Sequence, residues 1–366
     1  MSDIVLAIDG INHTGWKSIA VTLSIESLSG AFQLTMTDKW NNPSGLGSAP
    51  QIKPGDKCTL SINGEVLITG YIDAINLSYD ANSHSIRVAG RDKVGDLIDC
   101  SVIGQSQYKN LKIDEIITRI SAPFGVSVSA KVDTGPIVPV FNVEQGSSAF
   151  ECVQKLCKMR RCLALSDSKG GIVITRSGDE MLATPLIEGQ NILSATGDYD
   201  FTARFSEYLC KGQRQGTDNL DAKAIAENFA VVKDANIDRY RPILYIAEGQ
   251  ANEKDCRERA QFEASIAQGK SRRYRIVVAG WTGADGKLWT ANSMVQLTSP
   301  LLGVADSLLI VSCLFRLDDG GELTELELTS REAYLTFEGD IEKGKEGKGV
   351  IKGPYLTDPK KREDKK

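Results

Sequence analysis

Histidine is almost missing: His13 and His84 are the only two in 366 residues. With so few imidazoles, general acid–base chemistry near neutral pH has few candidates. The chain also lacks a basic excess. Lys and Arg number 43 against 48 Asp and Glu, a net charge of −5, whereas a nucleic-acid surface needs a positive footprint. No apolar run approaches the ~20 residues of a membrane span, so no stable membrane insertion is expected. The start, MSDIVLAIDG, has no basic flank before a long apolar core, and no secretion signal is expected there. Eight cysteines occur, but metal-type pairs do not. Cys152, Cys157 and Cys162 sit five apart, and zinc sites use tighter spacings such as Cys-x2-Cys. On a helix that spacing turns each thiol ~140° from the last, so the three share no face. Reduced, partly buried thiols in a cytoplasmically made protein are the expectation. The motifs H-E-x-x-H and G-x-S-x-G are also absent, and with them two common hydrolase signatures.

What is present is a soluble, globular balance: 41% hydrophobic and 25% charged residues. A chain of 366 residues is too long for one ordinary core, so two to four modules are expected. Residues 1 to about 100 read as β. Ile19–Ile25 and Ala31–Thr37 alternate around Ser29-Gly30, which predicts a hairpin. Asn63-Gly64 suits a type I′ turn, because both positions need φ > 0. Glu65–Tyr79 runs long, with Gly70 as a bulge or bend. Such spacing suggests a small antiparallel barrel or sandwich.

Residues 103 to about 185 change character. Ile113–Ala122 is helical and stops near Pro123 and Gly125. A second helix starts at Ser147 or Ser148, and Ser148 with Glu151 fits a capping box. Its expected apolar stripe is Phe150, Val153, Leu156 and Cys157. Two short strands flank a turn at Asp167–Gly171, giving a small α+β module. From 191 to 211 the chain looks β again. Between about 220 and 270 it reads as mostly helical, best at Asn252–Gln268, with Asn252 as a cap and Gly269 as a stop. From Arg273 onward alternation returns in YRIVVAGW, SMVQLTS, SLLIVSCLFRL and LTELELTS. The segment Asp340–Lys366 carries nine Lys/Arg and six Asp/Glu with few large apolar residues, and it cannot bury enough surface to fold alone.

One correspondence of element order joins the two ends. A long strand (Val66–Leu77), a polar turn, a short strand (Ser85–Ala89) and Arg91-Asp92 are matched later. There the order is Leu308–Leu317, a Gly-rich turn, Thr324–Thr329 and Arg331-Glu332. Two related β modules with α+β and helical material between them are expected.

Each candidate for chemistry has an ordinary structural explanation. Ser166 and Lys169 make a Ser-x-x-Lys match, but in a Gly-rich hairpin turn. Gly45-Leu46-Gly47 lacks the third glycine of a dinucleotide loop. Gly286-Lys287 lacks the upstream spacing of a phosphate loop and reads as a turn. Asp198 and Asp200 suggest a solvated strand edge rather than a cation loop. The stretch IRVAGRDKVGDLIDCS crowds Arg91, Asp92, Lys93, Asp96 and Asp99 together. A short helix after Gly90 accounts for it: Val94, Leu97 and Ile98 face inward, Asp92 caps, and Asp92, Lys93 and Asp96 face water. No catalytic, cofactor-binding or metal residues are expected, and no cofactor. Trp16, Trp40, Trp281 and Trp289 are the candidate anchors for a protein interface. No residue pattern identifies that interface.

Several composite stretches resemble the baseplate hub proteins of Mu-like contractile-tailed bacteriophages. They are TGYIDAINLSYD, IRVAGRDKVGDLIDCS, APFG, RFSEYLCKGQ, RYRPI, VAGWTGADGKLWTAN, LLIVSCLF and LTSREAY, spread over about residues 16 to 336. The resemblance implies a non-enzymatic homotrimeric ring, related to type VI secretion spike hubs. Each copy would bring two related antiparallel β-barrel domains, and the ring would join the tail tube to the central spike. The expected organisation is a mainly β fold: a first β-barrel domain at 1–102 and an α+β domain at 103–185. A second barrel follows from 186–215 and 271–336, with a helical insertion at 216–270 and a flexible charged tail at 337–366. The expected location is the virion tail baseplate, after assembly in the host cytoplasm. The competing readings are a tail-associated cell-wall hydrolase and a glycan- or receptor-binding β module. The hydrolase is hard to exclude by sequence, since two carboxylates suffice and 48 acids are available.

Overall fold

The computed structural model describes residues 2–37, 52–80, 84–160, 162–178, 180–213, 229–250 and 253–334. Trp40, Gly45-Leu46-Gly47, Asn252 and the charged 337–366 segment lie outside these residues.

β-Structure dominates, as alternation along the chain dictates. In Ile4–Ile8 every second residue is buried, and the same holds across Ser293–Ser299. Ser18–Ser24 and Ala31–Thr37 pair antiparallel, the expected hairpin. Asn63 and Gly64 take φ of 51° and 81° in the turn between Lys57–Ile62 and Glu65–Tyr79. Here positive φ is required twice, and Asn-Gly supplies it cheaply. Gly70 is not itself the bulge. The register shift falls between Ile72 and Ala74. Gly70 is needed because a Cβ there would lie 2.0 Å from the Arg91 carbonyl oxygen.

Among the described residues, fourteen strands share one sheet. Its path runs from Ile192–Tyr199 through Arg272–Ala279, Gly321–Thr329, Val304–Asp318, Ser18–Ser24, Ala31–Thr37 and His84–Asp92. It continues through Glu65–Tyr79, Lys57–Ile62 and Ile4–Ile8 to Ile11–His13. Among the described residues no pairing joins the two ends, so the expected closed barrels are not seen. Ser18–Ser24 pairs with Ala31–Thr37 on one side and, on the other, with Val304–Asp318 from the far end of the chain. The correspondence in element order is present in length as well. Glu65–Tyr79 and Val304–Asp318 each have 15 residues, and His84–Asp92 and Gly321–Thr329 each have 9.

The chain divides into two compact units. The first contains Met1–Ala195, Ile276–Gln296 and Ile310–Glu327. Within it, Leu6, Val21, Leu34, Leu60, Ile62, Ile68 and Val88 are completely buried. Each such side chain contributes roughly 1.5–3 kcal/mol of transfer free energy. A second core lies under the helices Ile113–Ser121 and Ala149–Arg160. The first of these ends in a short 3-10 turn and the left-handed Gly125, as the Pro-Phe-Gly sequence predicts. The second begins with the expected capping box: Glu151 N–H donates to the Ser148 hydroxyl, and Ser148 N–H donates to the Glu151 carboxylate. Its buried stripe is Ala149, Cys152, Val153, Leu156 and Cys157, with Phe150 only partly covered. Cys152, Cys157 and Cys162 all enter this core: the first two lie on the broad buried stripe of the helix, and Cys162 follows its end.

The second unit contains the described parts of Thr196–Arg275, Leu297–Leu309 and Leu328–Lys366. Within the expected helical insertion at 216–270, the described residues are helical only at Glu253–Lys270. Phe229–Lys233 and Pro242–Gln250 are strands flanking Glu207–Gln213. Their Val, Ile, Leu and Tyr content favours a pleated, half-buried surface over a helix. The helix Glu253–Lys270 covers one face of this three-stranded sheet, with Cys256 and Ala260 against Tyr208, Cys210 and Ala230.

Candidate functional site

The crowded stretch after Gly90 is the densest group of charges singled out by sequence. Strand His84–Asp92 runs directly into the helix Gly95–Asp99. Val94 and Leu97 are fully buried, as their spacing requires. Asp92 is not solvated: it is 2% exposed. One of its carboxylate oxygens accepts the Ser166 hydroxyl at 2.5 Å, and the other accepts the Val94 N–H at 3.3 Å. The Asp92 N–H donates to the Gly30 carbonyl. Burial pushes the Asp92 carboxyl up to about 6, against the opposing pull of these hydrogen bonds.

The neighbours of Asp92 finish the joint. Arg91 forms ion pairs with Asp73 at 2.6 Å and Asp99 at 2.7 Å. These bonds raise the Arg91 guanidinium and lower the Asp99 carboxyl. Lys93 donates its ammonium to the Gly125 carbonyl and its N–H to Thr69. Thr69 in turn donates to the Ser168 carbonyl. The side chain of Asp96 takes no part in these hydrogen bonds. Asp92, Lys93 and Thr69 tie the N-terminal strands to Ser166, Gly125 and Ser168 of the α+β segment, while Arg91 ties strand Glu65–Tyr79 to the helix Gly95–Asp99. The raised carboxyl of Asp92 is thus engaged by groups of this joint, the Ser166 hydroxyl and the Val94 N–H.

The remaining candidates are dispersed. Ser166 is spent on Asp92, and Lys169 donates its N–H to Asp167 in the turn. Asp198 and Asp200 are exposed, and Asp200 accepts from Thr202 N–H. Gly286, at φ 77°, closes the expected turn with its N–H on Gly283. A groove of about 280 Å³ beside Ala149–Arg160 is lined by Phe141, Glu144, Cys152, Lys155 and Lys158 among others. The Glu144–Lys155 ion pair in it is solvent-exposed. Among the described residues, no group of three His, Cys, Asp or Glu could hold a metal ion.

Trp16, Trp281 and Trp289 are 7%, 1% and 4% exposed. They are core residues of the chain, not free anchors. Trp281 donates its indole N–H to the Arg316 and Leu323 carbonyls. Sequence reasoning missed a buried ion pair in the second unit. Arg204, fully buried, forks onto Asp234 at 2.8 and 3.1 Å and lies 4.6 Å from the Phe201 ring. Thirty residues separate the partners, and no local pattern announces them.

Three models of phage baseplate families match the chain in succession. Residues 3–92 match the N-terminal domain of the Mu phage baseplate assembly protein GpP-like family. Residues 94–176 match the second domain of the baseplate hub protein gp44-like family. Residues 252–337 match the fourth domain of the Mu phage baseplate assembly protein GpP. The chain is similar to the 43 kDa tail protein of prophage MuSo2 from Shewanella oneidensis, at 34% identity and TM-score 0.81. That match covers 92% of this chain and all of the other. It shares its fold with a tail protein from Neisseria meningitidis at 19% identity and TM-score 0.75, covering 92% of this chain and 99% of that one. A mainly β scaffold whose charges join its own segments is therefore, by class, a structural phage tail protein. Baseplate hub protein gp44 of Escherichia phage Mu is 34% identical over 342 residues, covering 91% of this chain and 89% of gp44. The chain belongs to the Mu-like baseplate hub family.

Proposed function

We propose that the chain is a non-catalytic hub, three copies of which close a ring that joins the tail tube to the central spike. The matched strand pairs at the two ends of the chain carry this reading. Two long-and-short strand pairs of equal length per copy would give three copies a six-part repeat, suited to a sixfold partner on one side and a threefold one on the other. In this proposal each pair belongs to one of two related barrel-type domains, at 1–102 and at 186–215 with 271–336. The α+β domain (103–185), the 216–270 insertion and the 337–366 tail complete the copy. The partners are a second and third copy, the tube and the spike, in a virion baseplate assembled in the host cytoplasm. A permanent ring needs large interfaces, above ~2,000 Å² each. Light scattering across a dilution series should give about three times the 39.7 kDa chain. A monomer at every concentration, with and without tube and spike proteins, overturns the ring. Release of glycan from purified peptidoglycan overturns the non-catalytic part.

A further inference from the structure

We propose that Cys210 and Cys256 form a disulfide that clamps the helix Glu253–Lys270 to the three-stranded sheet of the second unit. Cys210 sits mid-strand, between Ala230 on one neighbouring strand and Tyr245 on the other. Its side chain points to the face that the helix covers. Cys256 lies in the first turn of that helix, and both residues are fully buried in the same small core. The two thiols are reduced and in hydrogen-bond contact with each other. Thiols in contact across two elements need only rotate and draw together to reach the ~2.05 Å of an S–S bond. A second near pair is arranged differently. The Cys162 thiol donates to the Arg160 carbonyl at 3.2 Å, which turns it toward backbone rather than Cys157.

The chemistry needs an oxidant, and a small-molecule disulfide such as oxidised glutathione supplies it. One cysteine thiolate attacks the glutathione disulfide, and one glutathione thiol leaves. The second cysteine thiolate then displaces the other, so the Cys210–Cys256 bond forms. Two protein thiols lose two protons and two electrons, and one disulfide becomes two thiols. In the closed state the Cys210 thiol is pushed up to about 11, chiefly by burial. Thiolate is scarce there, so exchange goes through transient opening of the helix from the sheet. The pair therefore stays reduced in a reducing compartment. A particle that later meets an oxidising medium acquires the clamp after assembly, and the same burial then protects the bond from reduction.

The full-length chain is the material for the test. It is refolded once in a reduced/oxidised glutathione buffer and once in reductant, then free thiols are alkylated. Trypsin should yield the linked peptides FSEYLCK and DCR, residues 205–211 and 255–257, only from the oxidised sample. The oxidised protein should melt several degrees higher, because the bond closes a long loop of the unfolded chain. Both effects should vanish in Cys256→Ser. The wild-type comparison stands even if that variant folds poorly. Complete alkylation of Cys210 and Cys256 after oxidative refolding overturns the proposal, as does a Cys157–Cys162 link in their place. A linked peptide with no rise in melting temperature overturns the clamp.

Discussion

Asp92 is the residue at which burial and charge conflict. Its folded carboxyl titrates at about 6, above the ~3.9 of an unfolded aspartate. The folded state therefore holds the proton more tightly, and ionisation costs stability. The penalty is absent below about pH 4 and reaches roughly 3 kcal/mol above pH 6. Thermal melts from pH 4 to 7.5 should show stability falling through that window. Asp92→Asn should flatten this part of the profile while keeping an oxygen for the Ser166 hydroxyl. An unchanged slope would show that Asp92 does not carry it. Asp92 reads as the helix cap, but the helix Gly95–Asp99 starts from Val94 without a side-chain cap bond, and Asp92 accepts the Val94 N–H from two residues upstream. Its burial was not legible, because Ser166 arrives from 74 residues away.

At the scale of elements, the helix Glu253–Lys270 teaches the clearest lesson. Gly269 reads as its stop, yet the helix continues through it to Lys270. Glycine is there because a Cβ would fall 2.3 Å from the Ala333 nitrogen. Gly269→Ala gains about 1 kcal/mol of helix propensity, but the backbone contact should outweigh that, for a net loss of ~1–3 kcal/mol. Denaturant titration measures it directly. Greater stability would show that Ala333 yields. Another element-level prediction concerns the second unit. Asp234→Ala leaves Arg204 buried without its counter-charge, which should cost ~3–5 kcal/mol. Replacing both residues with apolar ones of similar volume should recover much of the loss, and chemical denaturation of both variants against the wild type measures it. A loss below 1 kcal/mol for Asp234→Ala would mean that water reaches the guanidinium.

At the scale of the whole molecule, local signals were strong where strands follow each other. The hairpin at Ser29-Gly30, the Asn63-Gly64 turn and both helices of the α+β segment follow from period, capping and turn chemistry, which act over a few residues. The two long-and-short strand pairs could be recognised as related by order alone. That they lie in one sheet could not be read, because Ile19 pairs with Leu317, and nothing near either residue specifies the other. The burial of Trp16, Trp281 and Trp289 could not be read for the same reason: composition says that an indole is large and apolar, not which core it fills. Local patterning was enough to establish the mainly β class, the run of turns, the absence of recognisable catalytic motifs and, through composite motifs, the hub family. These are local or cumulative properties. It took the folded chain to show that Asp92 is buried, that Arg204 and Asp234 meet, and that Ser18–Ser24 pairs with Val304–Asp318. Each of those depends on the free energy of contacts between distant segments, which no window of the chain contains.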